Sequence, residues 1–210
     1  MEISEYHRII NPLFSIIKDK TVLEYGCYIG DWWQMFELHS PKKVTAIDPR
    51  RHPDIESNII KYNHFVDFKQ VGYENLEKDV EHDVIVCAGV LYKMSSPFHL
   101  IEDIVSRNPE HILFETTGQL NDNDKKYTLD TIGEHQDTTT IIKNLDGAEI
   151  NFNDNIKRLR WMIIISPNTV VDAFEELGYE LETYININCE SRPSKSALVG
   201  GVVMMKFIRT

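Results

Sequence analysis

The chain has 210 residues, of which 42% are hydrophobic and 26% are charged, and its formal net charge is -11. These values predict a single folded domain over 1–210, and no apolar run approaches the roughly 20 residues that cross a membrane. The negative charge disfavours DNA or RNA as a partner, because it repels a polyanion. The best local exception is a basic cluster, for which a solvated surface is the simpler interpretation: Lys157, Arg158 and Arg160.

The three cysteines, Cys27, Cys87 and Cys189, lie far apart, with no CxxC pair and no histidine at metal-ligand spacing. We therefore expect reduced thiols and neither a disulfide framework nor a metal site. The first residues lack the basic start, apolar stretch and small-residue cleavage site of an export signal. The expected compartment is the cytoplasm.

Helical and β-rich patterns alternate along most of the chain. Apolar residues at helical spacing between Tyr6 and Ile17 predict an opening helix, interrupted near Pro12, that covers one edge of a sheet. Further helices are predicted over 30–38, 54–61, 97–107 and 168–177. Five β-rich runs predict strands: TVLEYG, KKVTAID, HFVDFKQV, HDVIVCAG and HILFETT. Strands that alternate with helices in this way indicate an α/β fold with a parallel, doubly wound sheet.

The alternation of strand and helix patterns stops near the end of the chain. The runs LETYININ and ALVGGVVMMKFI follow one another with only a turn-like segment between them, which predicts an antiparallel hairpin. The expected fold is thus a Rossmann-like sheet of seven strands, mostly parallel, that closes on this hairpin. Residues 118–160 are polar and do not fit the alternation. They are predicted to be an insertion at a strand's carboxyl end, placed to act as a lid.

A glycine turn follows the first predicted strand, in the segment VLEYGCYIGDWWQMF. Gly26 permits a tight turn with close backbone approach to a ligand, and Gly30 lets the next helix start close to the strand. The pattern ExGxxxG is open to a purely steric explanation when it stands alone. The second strand strengthens the ligand interpretation, because it ends at Asp48, about 20 residues further on, where a carboxylate can accept both hydroxyls of a ribose. The alternative role for Asp48 is to cap the following helix.

The sequence of the turn also distinguishes between two cofactors that contain adenosine. A pyrophosphate-binding turn reads GxGxxG, whereas here Tyr28 replaces the middle glycine and Glu24 precedes the turn. A carboxylate at this place repels a pyrophosphate and suits a cationic ammonium group. The turn therefore favours S-adenosylmethionine (SAM) over NAD.

At family level, the segments AIDP, VGYENL, GVLYKMSSPFHL and ILFET resemble the class I methyltransferases, and more narrowly the tRNA uridine-5-oxyacetate carboxymethyltransferase group. The resemblance covers about residues 20–117 and extends less closely over 158–190. It implies a SAM-dependent methyltransferase in which Glu24 and Gly26 face the methionine end of the cofactor and Asp48 faces the ribose. The remaining contacts that it implies are with the adenine, by Tyr73 and Glu74, and with the transferred group, by Tyr92.

The chain departs from that group in two respects. It is shorter, and after GVLY it has Lys93, Met94 and Ser95 where the group has histidine and a basic pair. The fold and cofactor are carried over, whereas the carboxylated cofactor and the tRNA substrate are not. The predicted acceptor is a small molecule or an exposed group, and the alternatives are a tRNA-modifying (carboxy)methyltransferase or a SAM-binding protein without transfer activity.

Catalytic residues are weakly marked, because methyl transfer needs a base only when the acceptor must lose a proton. Tyr92 and Glu115 are the two catalytic candidates, since each lies at or just after the end of a strand, where a substrate would rest. Glu115 is also a carboxylate in a mostly apolar strand, which suggests that its presence has a functional reason. Lys93 and His99 lie nearby, and a surface role is favoured for the histidine. Three further residues are interpreted as structural: Cys87, Trp32 and Trp33.

Overall fold

The computed structural model describes residues 5–78, 81–94, 96–117, 139–142, 162–187 and 202–210. Its main sheet has seven strands in the order β3-β2-β1-β4-β5-β9-β8. These strands are β1 (Thr21–Tyr25), β2 (Lys43–Ile47), β3 (Val66–Lys69), β4 (Val84–Ala88), β5 (His111–Thr117), β8 (Tyr179–Ile187) and β9 (Val202–Arg209). β6 (Thr139–Ile142) and β7 (Met162–Ile165) form a separate antiparallel pair.

The five strands β1 to β5 pair in parallel, and β9 runs antiparallel between β5 and β8. The predicted sheet of seven strands with a C-terminal antiparallel pair is therefore confirmed. The chain order reverses between β1 and β4, so the carboxyl ends of these two strands flank the crevice where doubly wound folds bind ligands. In the described part of the chain, no helix has the length and apolar character needed to cross a membrane.

Helices cover both faces of the sheet, and each face has its own apolar core. The helices are α1 (Glu5–Ile10), α2 (Trp33–His39), α3 (Ile55–Tyr62), α4 (Pro97–Ser106) and α5 (Pro167–Glu176). The first core joins residues of α1, α2 and α3, whereas the second joins residues of α4 and α5. Because successive strand residues point to opposite faces, Val22 lies in the first core and Leu23 in the second. This alternation decides which face each site residue reaches.

The opening helix is interrupted where the sequence predicted, since α1 continues as a 3₁₀ helix over Asn11–Ile17. Its apolar side chains join the first core, and α1 contacts β8, the strand at one edge of the sheet. The second helix differs, because it begins at Trp33 and not at residue 30. Residues 26–32 are needed for the turn itself.

The predicted insertion over 118–160 contains β6, and no strand was expected there. β6 pairs with β7, which the sequence interpretation also missed. Both are short runs of β-branched residues that lack a clear alternation of apolar and polar side chains. The rest of the insertion, including Lys157, Arg158 and Arg160, lies outside the described residues, as does Cys189. The predicted lid therefore stays a prediction.

Candidate cofactor and acceptor site

The glycine turn after β1 is held closely against its neighbours. The backbone N–H of Gly26 donates to Ile47 O at 2.8 Å, and Gly26 has a φ of +68°. A Cβ at this position would lie 2.5 Å from Cγ2 of Val90, in the loop after β4. Glycine is therefore required both for its backbone conformation and because the two loops touch.

Gly30 lies against the first residue of the following helix. Its φ is +80°, and a Cβ there would lie 2.6 Å from the indole ring of Trp33. The glycine thus makes room for the side chain of the residue that begins α2. Trp33 is fully buried, as predicted, and packs edge-on to Tyr62.

Glu24 is a buried carboxyl group in β1, two residues before Gly26. Its side chain is 1% exposed, and Oε2 accepts a hydrogen bond from Nε1 of Trp33 at 2.7 Å. Oε1 accepts none from the part of the chain that the structure describes. Burial raises the pKa of Glu24 to about 8, against the opposing effect of the Trp33 hydrogen bond. A buried carboxyl oxygen that accepts no hydrogen bond from the described chain fits a cationic donor such as the ammonium group of SAM.

Asp48 follows β2 directly and holds the two loops beside it. Its Oδ2 accepts from the backbone N–H of Tyr28 at 3.0 Å, and its Oδ1 accepts from the backbone N–H of Arg50 at 2.8 Å. Helix α3 begins at Ile55, so Asp48 does not cap it. Each carboxylate oxygen has a second lone pair to offer, which leaves capacity for two ribose hydroxyls.

Tyr73 and Glu74 lie in a short 3₁₀ turn, Tyr73–Asn75, after β3. They line a groove of about 350 Å³ together with residues of α4 that include His99. The ring of Tyr73 lies 6.3 Å from the ring of Tyr25, the last residue of β1. The structure thus brings Tyr73 beside the strand that leads into the glycine turn, and Glu74 and His99 line the same groove as Tyr73.

The two predicted catalytic residues meet above Gly89, at the carboxyl end of β4. A methyl group placed on Gly89, whose φ is +69°, would lie 3.4 Å from the hydroxyl of Tyr92 and 3.7 Å from Oε1 of Glu115. The Nζ of Lys93 lies 5.6 Å from the centroid of the Tyr92 ring. Two polar groups from separate elements therefore converge on the backbone of Gly89.

Glu115 is 1% exposed, and its Oε2 accepts a hydrogen bond from the hydroxyl of Tyr6. Tyr6 is on α1, where its ring packs against Trp32 at a centroid distance of 5.7 Å. The sequence pattern marks Tyr6 only as an apolar residue of an amphipathic helix. The one available signal was its polar tip, because a buried tyrosine hydroxyl needs a partner.

Neither described cysteine is placed to act as a nucleophile. Cys27 and Cys87 are both buried, and burial raises the pKa of each thiol far above neutrality. Cys87 lies inside β4, as the structural interpretation predicted.

Comparison with known proteins places the chain in a family. A model of a methyltransferase domain matches residues 2–184, which is most of the chain. Among curated proteins, tRNA U34 carboxymethyltransferases are similar. That of Campylobacter fetus is 33% identical over 99 residues, or 44% of this chain, and that of Campylobacter curvus is 32% identical over 106 residues, or 47% of this chain. The matched segment spans 34% of each relative's length.

Solved methyltransferase structures share the fold at low sequence identity. One is the 1,6-didemethyltoxoflavin-N1-methyltransferase of Burkholderia thailandensis, with a TM-score of 0.65, 11% identity, and coverage of 96% of this chain and 78% of that one. Another is the N-methyltransferase NodS of Bradyrhizobium japonicum, with a TM-score of 0.62, 13% identity, and coverage of 99% and 89%. Both were solved with S-adenosylhomocysteine (SAH) bound. This chain therefore belongs to the methyltransferase-domain family, and the class I methyltransferase predicted from its sequence is confirmed.

Proposed function

We propose that this methyltransferase uses SAM to methylate a nitrogen or oxygen atom of a small molecule. The observation that carries the proposal is the buried Oε1 of Glu24, which accepts no hydrogen bond within the described chain. Burying a carboxyl oxygen without a hydrogen-bond donor costs free energy unless a ligand supplies that donor. The relatives solved with SAH support the choice of cofactor.

Four side chains hold the cofactor in this proposal. Glu24 accepts from the ammonium group and Asp48 accepts from the two ribose hydroxyls, while Tyr73 and Glu74 contact the adenine. Gly26 allows the backbone to approach the methionine end, because a side chain there has no room beside Val90. The separation between Glu24 and Asp48 follows from the fold, since each stands at the end of one of two adjacent parallel strands.

The acceptor rests above Gly89, between Tyr92 and Glu115. When bound, SAM supplies a methyl group on a positively charged sulfur, which becomes a neutral thioether on transfer. Tyr92 orients the acceptor through its hydroxyl, and Glu115 receives the proton that a nitrogen or oxygen nucleophile must lose. Tyr6 donates a hydrogen bond to the other oxygen of Glu115 and so fixes the direction of the oxygen that faces Gly89.

A tRNA acceptor is the second candidate, because the curated relatives are tRNA carboxymethyltransferases. The net charge of -11 weighs against it, and the matched segment is about a third of those relatives. Filter binding with labelled tRNA separates the two: retention of tRNA at physiological salt would favour the nucleic acid. A SAM-binding protein without transfer activity is the third, and formation of SAH in a cell extract would exclude it. A cytoplasmic location stays a prediction.

Calorimetry with SAM, SAH and NAD tests the cofactor assignment. We expect SAM and SAH to bind with micromolar affinity and NAD to show no binding, because the turn follows Glu24 and lacks the middle glycine of a pyrophosphate-binding turn. NAD that bound more tightly than either methionine cofactor would overturn the proposal.

Proton linkage gives a second prediction. Glu24 has a pKa of about 8 in the protein alone and must be ionised to pair with an ammonium group, so it releases a proton when SAH binds. The affinity for SAH should therefore rise by about tenfold between pH 6 and pH 7, where the ligand's amino group stays protonated. The Glu24→Gln variant should bind weakly and without this dependence. Its control is Glu56→Gln, which changes an exposed carboxylate paired with Arg51 and should keep the full dependence.

A further inference from the structure

A buried cluster of charged and polar side chains lies under the loop that carries Tyr73, on the opposite face of the sheet from Glu24. Asp103, near the end of α4, is 8% exposed, and its Oδ2 accepts from the hydroxyl of Tyr25 at 2.6 Å and from Nε of Arg107 at 3.0 Å. The side chain of Arg107 is completely buried. A buried aspartate and arginine need such mutual contacts to offset their loss of water.

Arg107 directs the rest of its guanidinium at the backbone of one loop. Its Nη1 donates to the carbonyl oxygen of Glu77 at 3.1 Å. Its Nη2 lies 3.4 Å from the carbonyl oxygen of Leu76 and 3.5 Å from that of Tyr73. Three carbonyls of the loop thus surround a single planar cation. The guanidinium is a rigid fork, so its donors fix the positions of the carbonyls relative to one another.

The same cluster reaches the glycine turn. Tyr25 is the last residue of β1 and immediately precedes Gly26, and its ring lies 5.9 Å from the guanidinium carbon of Arg107. Through Tyr25, the buried ion pair therefore joins the loop 73–77 to the end of β1. Of the three side chains, Asp103 also lines the groove that Tyr73 and Glu74 line.

We propose that Tyr25, Asp103 and Arg107 are positioning residues that set the loop 73–77 for adenine binding. The inference rests on the proposed function, because it takes Tyr73 and Glu74 as the adenine contacts. It predicts a selective defect. Loosening the cluster should weaken ligands that have an adenine base and leave a ligand without the base unaffected.

The test compares SAH with S-ribosylhomocysteine, which lacks the adenine, by calorimetry on the full chain. Arg107→Lys keeps the positive charge but replaces the fork by one nitrogen. We expect it to weaken SAH about tenfold and S-ribosylhomocysteine by less than twofold. Tyr25→Phe removes one hydroxyl from Asp103 and should weaken SAH about threefold, as for the loss of one hydrogen bond. Because it is the milder change, it also serves if Arg107→Lys fails to fold.

Tyr179→Phe is the matched control. Tyr179 is buried like Tyr25, at 2% exposure, and its hydroxyl donates to the carbonyl of Pro109, away from the loop. It should leave both affinities unchanged. If Arg107→Lys or Tyr25→Phe weakens both ligands equally, or neither, the positioning role is wrong. If the wild-type protein binds the two ligands equally well, the adenine assignment of Tyr73 and Glu74 has failed, and the positioning role fails with it.

Discussion

Replacing Glu115 with glutamine should lower the rate of methyl transfer by about 10²–10⁴-fold, the usual contribution of a positioned acid or base. The amide has nearly the same shape but cannot take the proton that the acceptor loses. Affinity for SAH should change by less than twofold, because the carboxyl group meets the acceptor above Gly89 and not the proposed cofactor contacts. The measurement is SAH formation from SAM with a deproteinised small-molecule extract of cells as the source of acceptor.

Two variants control this experiment. Glu110→Gln changes an exposed carboxylate just before β5 that pairs with Lys20 at 2.6 Å, and it should keep the wild-type rate. Tyr6→Phe removes the hydrogen bond to Oε2 of Glu115 but leaves the carboxylate, so a smaller loss of rate is expected. A Glu115→Gln protein that transfers methyl groups at the normal rate would assign the carboxyl group a structural role only.

The fold and the position of the candidate cofactor turn could be predicted because both depend on local patterns. The residues that end β1 and β2 can be read directly from the runs TVLEYG and KKVTAID, and parallel pairing then sets Glu24 and Asp48 at the same edge of the sheet. Glu115 was likewise marked by a carboxylate in an apolar strand, and β4 and β5 bring it to Ala88. Position along a strand was enough in all three cases.

Contacts between distant segments could not be predicted in this way. Tyr6 meets Glu115 across 109 residues, and Arg107 reaches the carbonyl of Tyr73 across 34. Trp33 was expected to be a core residue, which it is, but its indole N–H also orients Glu24. A hydrophobic pattern reports that a side chain is buried and does not report which polar atom its N–H or O–H will find.

Replacing Asp48 with alanine should weaken SAH about 100-fold or more, since two hydrogen bonds to a charged acceptor, each of about 1.5–3 kcal/mol, would be lost. Asp48→Asn keeps one acceptor oxygen and should fall between this variant and the wild type. Asp54→Ala is the matched control, because Asp54 is a neighbouring exposed aspartate whose side chain makes no capping hydrogen bond to α3. It should bind SAH like the wild-type protein.

The stability of the Asp48→Ala protein distinguishes a role of Asp48 in ligand binding from a role in folding. Its carboxylate accepts from the backbone N–H groups of Tyr28 and Arg50, and both bonds are solvent-accessible. Their loss should cost about 1 kcal/mol, or a drop of roughly 2–4 °C in the melting temperature of the protein without ligand. A much larger drop would mean that the carboxylate chiefly holds the loops together. A loss of SAH affinity below about threefold would remove Asp48 from the ribose site, because even one charge-assisted hydrogen bond contributes more than that.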